Sequence, residues 1–412
     1  MRIHPDRATC RAAACLAICA IAAGAWADAR YAIRAGKIVT VTQGTINHGV
    51  VLVADGIIEA LGAQADIDIP GDYAVIDATD KWVMPGMIEV HSHCGVQGGL
   101  NDMVAQTNPG MRIGDGIDPD SEIVQVALSA GVTTIQTLPG SGTNHSGFGC
   151  AFKTAGATKE DRIVRRVSAM KIAQADNPER RTGDVGATLM GMSWILREHI
   201  DRARTYDAAW QAFEAGETDT PPERDIALEQ MRGVFSLGLP VFVHTWQTWG
   251  MTMTARMFHD EYGLAVIATH ATGAGHRTAD QVARRQIPVN VGPRVVDFYG
   301  VGDGRFHGIA AEYDAAGVQP VSVNTDSFNF GQTYLAVKAA MAARFGMDDA
   351  AALRSVTIEP ARALLLADRL GSIEVGKDAD LIIKQTNIID PTTPVEMVFV
   401  DGQLAYEYET RG

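Results

Sequence analysis

Two histidines separated by one residue, His91 and His93, close a short apolar run that begins at the turn Pro85-Gly86. On a β-strand, side chains two apart point to one face, so the two imidazoles stand side by side, an arrangement suited to a metal ion. The spacing also fits a strand end where one ring is merely hydrogen-bonded, and the pair alone leaves both readings open. Other β-rich runs place similar residues at their ends. Pro240-Val241-Phe242-Val243-His244, Ala265-Val266-Ile267-Ala268-Thr269-His270 and Pro320-Val321-Ser322-Val323-Asn324-Thr325-Asp326 each finish on a histidine or an aspartate, and Val167-Ser168-Ala169-Met170-Lys171-Ile172 carries a lysine. Singly, such a histidine reads as a structural hydrogen-bonding residue, Lys171 as a solvated cation and Asp326 as a helix N-cap. Repetition at successive strand ends is what points to a shared site. Histidine and carboxylate donors without a thiolate suit zinc or a similar divalent ion. Cys94 is offset from His93 toward the other face and reads as packing.

The elements that would bring these ends together follow from the alternation of β-rich runs with helical stretches after residue 83. With 132–137, 148–152 and 287–291 the runs number eight. The leading fold is an α/β (β/α)8 TIM-like barrel, whose chemistry lies at the C-terminal strand ends. A doubly wound sheet is weaker, because no Gly-x-Gly-x-x-Gly turn follows an early strand. If His91 faces the interior, alternation puts Glu89 and Met87 inside and turns Ile88 and Val90 toward the helices. On the last strand Asp326, Asn324 and Ser322 face in, and Val321 and Val323 out. The excursion 174–238 reads as two helical halves, around Trp194 to Phe213 and Arg224 to Phe235, broken at Thr220-Pro221-Pro222, and as a lid over the site.

At 412 residues the chain exceeds one barrel of roughly 250 residues. Alternating runs at both ends, such as Lys37-Ile38-Val39-Thr40-Val41 and Val395-Glu396-Met397-Val398-Phe399-Val400, predict one small composite β-sandwich domain. The first residues differ in kind: Arg2, Arg7 and Arg11 precede an apolar run from Ala12 to Ala25, and Ala25-Trp26-Ala27 fits a signal-peptidase site. That run is shorter than the roughly 20 residues a bilayer span needs. The expected organisation is a cleaved signal peptide at 1–27, the first part of the β domain at 28–82, the barrel at 83–368 and the second part of the β domain at 369–412, with export to the periplasm. Cleavage removes three arginines and one aspartate, which takes the formal charge from −14 to −16. Such an acidic chain disfavours nucleic acid and anionic membrane. The expected partner is a small-molecule substrate, without stable membrane insertion, and a homo-oligomer is open. After cleavage two cysteines remain, Cys94 and Cys150, either paired or as separate buried thiols.

Together these residues resemble the amidohydrolase superfamily, in its imidazolonepropionase-like and dipeptidase-like branch. The resemblance is carried by Pro85-Gly86 leading into His91-x-His93, by His244, His270 and Asp326 in that order, and by the tail Thr357-Ile358-Glu359-Pro360-Ala361-Arg362 with Arg369-Leu370-Gly371-Ser372-Ile373-Glu374-Val375-Gly376-Lys377-Asp378-Ala379-Asp380-Leu381. It implies His91, His93, His244, His270 and Asp326 as ligands of a divalent metal, Zn2+ or similar. Lys171 is either N6-carboxylated and bridging two ions, or a charge beside the substrate of a one-ion site. Asp326 is expected as general base and later proton donor, with His270 or a second ion holding the developing oxyanion. The implied reaction is hydrolysis of a C–N bond next to a carbonyl, in an amide, a peptide-like bond or a cyclic amide. Deaminases of the superfamily carry a glutamate shortly after the fifth-strand histidine; here the run is His244-Thr245-Trp246-Gln247-Thr248-Trp249. Deamination, lactone or ester hydrolysis and a non-catalytic binding protein are the competing readings. Arg294, His145 in the Gly-rich loop after the second strand, and Trp246 are the residues proposed to touch substrate.

Overall fold

Valine- and isoleucine-rich alternation at the two ends of the chain folds into a single sheet. The computed structural model describes residues 29–179, 185–298, 302–328 and 331–409; the export segment expected at 1–27 lies outside them. Strands β1 (Tyr31–Val39), β2 (Thr45–Ala54), β3 (Ile57–Ala63) and β4 (Ala74–Pro85) come first. Next are β5 (Met87–Ser92), β6 (Val132–Thr137), β7 (His145–Phe148), β8 (Cys150–Lys153), β9 (Ile163–Arg165), β10 (Met170–Ala173), β11 (Val241–Thr245), β12 (Val266–His270), β13 (Val289–Val291), the short pair β14 (Val296–Asp297) and β15 (His307–Gly308), and β16 (Val321–Val323). β17 (Leu381–Lys384), β18 (Val395–Val400) and β19 (Gln403–Glu407) close the order.

The terminal strands pair in the order β19-β18-β17-β4-β1-β2-β3. The sheet closes on itself like a sandwich: Ala379 N donates to Gly56 O and Ile58 N to Lys377 O, both at 2.9 Å. Ile33, Ile38, Val51 and Val53 from one limb pack with Leu381, Ile383 and Phe399 from the other. From β4 the chain passes straight into the barrel through Gly86, where a Cβ would collide with the Thr133 side chain. Buried Lys153 ties barrel to sheet, with its Nζ 3.0, 2.7 and 3.0 Å from carboxylates of Asp378, Asp380 and Asp401.

The barrel strands form two sheets, β16-β13-β12-β11-β10-β7 and β5-β6-β8-β9. From β10 to β16 all neighbours are parallel. The third strand position departs from the expected pattern. β7 and β8 run antiparallel to β10 and β6, because the chain turns back through Pro139 to Gly142 without an intervening helix. Backbone bonds between Gly149 and both Ser168 and Ala169 cross one seam. At the other, His93 N donates to Ser327 O at 2.5 Å. An apolar layer of Ile88, Val90, Ala169, Phe242 and Ile267 fills the interior, closed below by Ile358, Ala361 and Leu364.

In the excursion the first predicted helix forms as Leu189–Glu214, opened by the Thr188 cap on Gly191 N. Its stripe of Met192, Leu196, Ile200 and Ala203 is buried, so it is a packed part of the wall in place of a free lid. The second half forms only short turns, Glu229–Met231 and Arg232–Phe235. Ties to the long helix hold that half in register, with Tyr206 Oη on Glu229 at 2.6 Å and Arg232 Nε on Asp207 at 3.1 Å. Among the described residues no helix is long and apolar enough to cross a membrane.

Candidate metal centre

The His-x-His pair owes its orientation to a β-bulge. Between Glu89 and Ser92 the register of β5 against β6 shifts, so that strand carries one extra residue. Below the bulge, alternation is the reverse of that expected. Met87 packs with Val124 and Leu128 of the helix Glu122–Ser129, while Ile88 and Val90 pack with Phe242 and Ile267, which share the face of Lys171 by register. Glu89 therefore lies on the helix side of the wall with Met87, and the extra residue turns His91 inward. On β16 the expectation fits: Val321 and Val323 pack in the outer core, and Asn324 Nδ2 reaches Asn290 Oδ1 at 2.6 Å.

Three donors meet at the rim. His91, His93 and Asp326 each offer one ligand atom, all within 4.8 Å of one another. Asp326 Oδ1 is 3.2 Å from His93 Nε2 and 3.6 Å from His91 Nε2. Lys171 Nζ is 3.1 Å from His91 Nε2. The ring of His270 lies 4.8 Å from that of His91 and 4.2 Å from that of His244, centroid to centroid. All six predicted ligand positions thus gather at one end of the barrel. The backbone is strained there: His270, Ala271 and Asp326, none of them glycine, have φ of 72°, 54° and 48°.

Hydrogen bonds fix the tautomers. His93 Nδ1 lies 2.8 Å from Leu138 O and His270 Nδ1 2.6 Å from Gly292 O. A carbonyl only accepts, so in the neutral rings the proton sits on Nδ1 and Nε2 presents a lone pair. His270 Nε2 is buried with no hydrogen-bond partner among the described residues. His244 Nδ1 is oriented by Ser141 Oγ at 3.0 Å. Unprotonated nitrogens aimed at a carboxylate call for a cation between them, and outer hydrogen bonds of this kind are what orient metal-binding histidines. The donor set therefore fits a divalent ion. It also corrects the oxyanion role expected of His270, which has no Nε2 proton to donate.

Burial pushes His91 and His244 well below the ordinary histidine range, aided by the neighbouring cations, and lowers His270 to about 4 against the pull of Asp326. Burial also lowers the Lys171 ammonium to about 7, opposed by Asp326. For Asp326 burial works against the charge, but His93, His270 and Lys171 outweigh it and hold the carboxyl at about 2. Neutral rings at His91, His244 and His270 beside an ionised Asp326 are the protonation states a divalent ion requires.

A model of the amidohydrolase family matches residues 304–405, the stretch that includes Asp326. The chain is 26% identical over 400 residues to amidohydrolase tasK of Hapsidospora irregularis, covering 87% of this chain and spanning only 40% of that protein's length. It is 27% identical over 416 residues to the imidazolonepropionase of Mesorhizobium japonicum, covering 92% of this chain and 94% of the relative. The crystal structure of an amidohydrolase from Thermotoga maritima superposes with a TM-score of 0.82 at 26% identity, over 92% of this chain and 100% of that one. The chain belongs to the amidohydrolase superfamily. Within it the similarity runs to the imidazolonepropionase-like branch, and the activity class is metal-dependent hydrolysis of C–N bonds.

The proposed substrate-contacting residues separate in this amidohydrolase. Trp246 and Arg294 lie together on a cleft between the loops that follow β11, β12 and β13. His145 does not sit in a loop. It is a fully buried residue of β7, with its ring 5.6 Å from Phe148 and 6.2 Å from His199 of the long helix. That helix covers a position which the neighbouring glycines suggested was open. Cys94 and Cys150 are separate buried thiols. Sequence reasoning missed Glu89 as a brace: its carboxylate accepts from His91 N at 3.0 Å, Thr325 N at 2.9 Å and Thr325 Oγ1 at 2.6 Å, joining the strands that carry His91 and Asp326. The available signal was an acid two residues before the first histidine. Ser141, which orients His244, left no signal beyond its loop.

Proposed function

We propose that this chain is an exported zinc amidohydrolase that opens a linear or cyclic amide with water, and that Asp326 is its general base. The observation that carries the reading is the meeting of His91 and His93 with the ionised Asp326 in a pocket where burial keeps the His91 imidazole neutral. Likeness to imidazolonepropionases over nearly their whole length supports a small amide substrate. The segment 1–27, with its arginines and Ala25-Trp26-Ala27, supports export. His91, His93, His244, His270 and Asp326 would hold the metal, and buried Lys171, whose Nζ lies 3.1 Å from His91 Nε2, would as an N6-carboxylate help to hold a second ion. A divalent ion so held lowers the pKa of water and polarises a carbonyl.

The residues of the chain do the rest. An Asp326 carboxylate oxygen accepts the proton of the attacking water and returns it to the leaving nitrogen. His93 and His270, locked through Leu138 O and Gly292 O, keep their Nε2 atoms aimed into the site. Ser141 fixes the ring of His244. The test is metal analysis of protein prepared with and without bicarbonate, coupled to a screen of dipeptides, acylated amino acids, cyclic imides and lactones. Two zinc ions per chain and hydrolysis of an amide are expected; turnover of lactones alone would defeat the amidase reading.

A further inference from the structure

We infer that the closed end of the barrel, opposite the metal centre, carries a binding cleft for a medium-length fatty carboxylate, with Arg362 as its cation. The cleft holds about 440 Å³, within the roughly 300–1,000 Å³ of small-molecule sites. It lies where three barrel strands begin: Pro240 precedes β11, Val266 starts β12 and Pro288 precedes β13. His244 and His270 stand toward the far ends of the first two strands, so a molecule held here is not the amide being cleaved. The floor is apolar. Leu264, Val266, Ile267 and Ile287 line it and are only 2–4% exposed.

Three helices end at its mouth, and their ends are unusual. Two residues beyond each of Arg232–Phe235, Ala279–Arg284 and Ile358–Ala363 comes a residue of positive φ: Leu237 at 56°, Gln286 at 54° and Leu365 at 57°. A helix terminator of this kind favours glycine, which has no Cβ to strain. Here all three positions carry long side chains, and all three line this one cleft. Leu237 and Leu365 remain 51% and 47% exposed, so the fold buries only about half of each. Strain that packing does not offset points to a role outside folding.

Charge supplies the second observation. In a chain of formal charge −14 no acid among the described residues lines the cleft, whereas Arg285, Arg362 and His259 do. Arg285 is engaged by Asp260, which also meets His259 Nδ1 at 3.0 Å. Arg362 differs. Its only side-chain hydrogen bonds among the described residues run from Nη1 to Glu359, at 2.9 and 3.0 Å, and that single acid is shared with Arg354, whose Nε lies 3.5 Å away. One positive charge is left over, on a guanidinium 49% exposed with further donors to offer. The helix-end carbonyls Leu364 O and Gly238 O, which would oppose an anion, are covered by Arg165. An apolar floor, half-covered leucines at the mouth and an unmatched guanidinium beside them suit a hydrocarbon chain that ends in a carboxylate.

The test is isothermal titration of the metal-loaded full chain with octanoate, octanol and octylamine, each below its micellar concentration. Octanoate should bind at least tenfold more tightly than either of the others. Because a carboxylate can also reach the metal, variants decide where it sits. R362Q should weaken octanoate at least tenfold. The L237G/L365G double variant should do the same with its thermal midpoint unchanged or raised, since glycine accepts the positive φ without strain. Leucines with a purely structural role would instead lower the midpoint and leave octanoate binding intact. Equal binding of the three probes, no binding of octanoate, or undiminished binding in either variant would overturn the inference. A dimer that dissociates in L237G/L365G, seen by analytical ultracentrifugation, would overturn it too, by making a second copy of the chain the occupant. None of these outcomes depends on which bond the enzyme cleaves.

Discussion

Glutamine in place of Glu89 is the substitution that most directly probes how the metal centre is held. The carboxylate receives three hydrogen bonds, from His91 N on one oxygen and from Thr325 N and Oγ1 on the other. An amide oxygen can replace one carboxylate oxygen, but the NH2 group then faces a buried donor. If the amide oxygen keeps both Thr325 bonds, His91 N–H is stranded, at a cost of about 1–3 kcal/mol. The two backbones so joined carry His91 and Asp326, and loosening outer contacts of this kind lowers metal affinity by about 10–100-fold. Urea unfolding of the metal-free protein would read the first effect, and competition with a chelator the second. Expected for E89Q are a lowered urea midpoint and at least a tenfold loss of metal affinity. A stability loss with metal affinity within twofold of wild type would reduce Glu89 to a brace of the fold. No change in either would refute the hydrogen-bond argument itself.

Further outcomes follow from the same geometry. Asp326→Asn should lower kcat by about 10²–10⁴-fold, with metal content measured by mass spectrometry retained; retained turnover would remove Asp326 as the base. Lys171→Ala should cut bound metal from two ions to one, and one ion in the wild type regardless of bicarbonate would contradict the bridging role. Lys153→Met leaves the buried carboxylate of Asp380 without its cation, while Asp378 keeps Arg369, and should cost about 3–5 kcal/mol in urea unfolding at neutral pH. Burial and the neighbouring Asp380 already hold the Asp401 carboxyl above its ordinary value against the pull of Lys153, so losing the lysine raises it further and the deficit should shrink as pH falls and Asp401 protonates. Hydrogen bonds from Ser372, Thr42 and Lys377 outweigh partial burial and hold Glu374 at about 2. Its contribution is present above pH 4.5 and lost as pH falls toward 2, so Glu374→Gln should destabilise at pH 7 and be neutral at pH 2.

How much of this could be read from the chain is decided residue by residue. The five histidine and aspartate positions were legible because strand ends and ligand chemistry both leave marks in a sequence, and the two-ended β domain because period-two alternation does. Strand direction leaves no such mark. The run 145–153 reads as a strand in either sense, and only its pairing with β6 and β10 reveals it as antiparallel. His145 was misplaced because its burial is supplied by a helix some fifty residues away in sequence, through His199. The bulge was invisible too, since an extra residue alters no composition, yet it controls the site. Strict alternation from Met87 would put Glu89 and both histidines on one face, and the acid would then compete for the ion with the rings beside it. With the extra residue between Glu89 and Ser92, the rings face the barrel interior while the acid faces the seam, where Thr325 waits. The Glu-x-His-x-His run thus serves two surfaces at once, and the pair that first suggested a metal is aimed by a backbone irregularity.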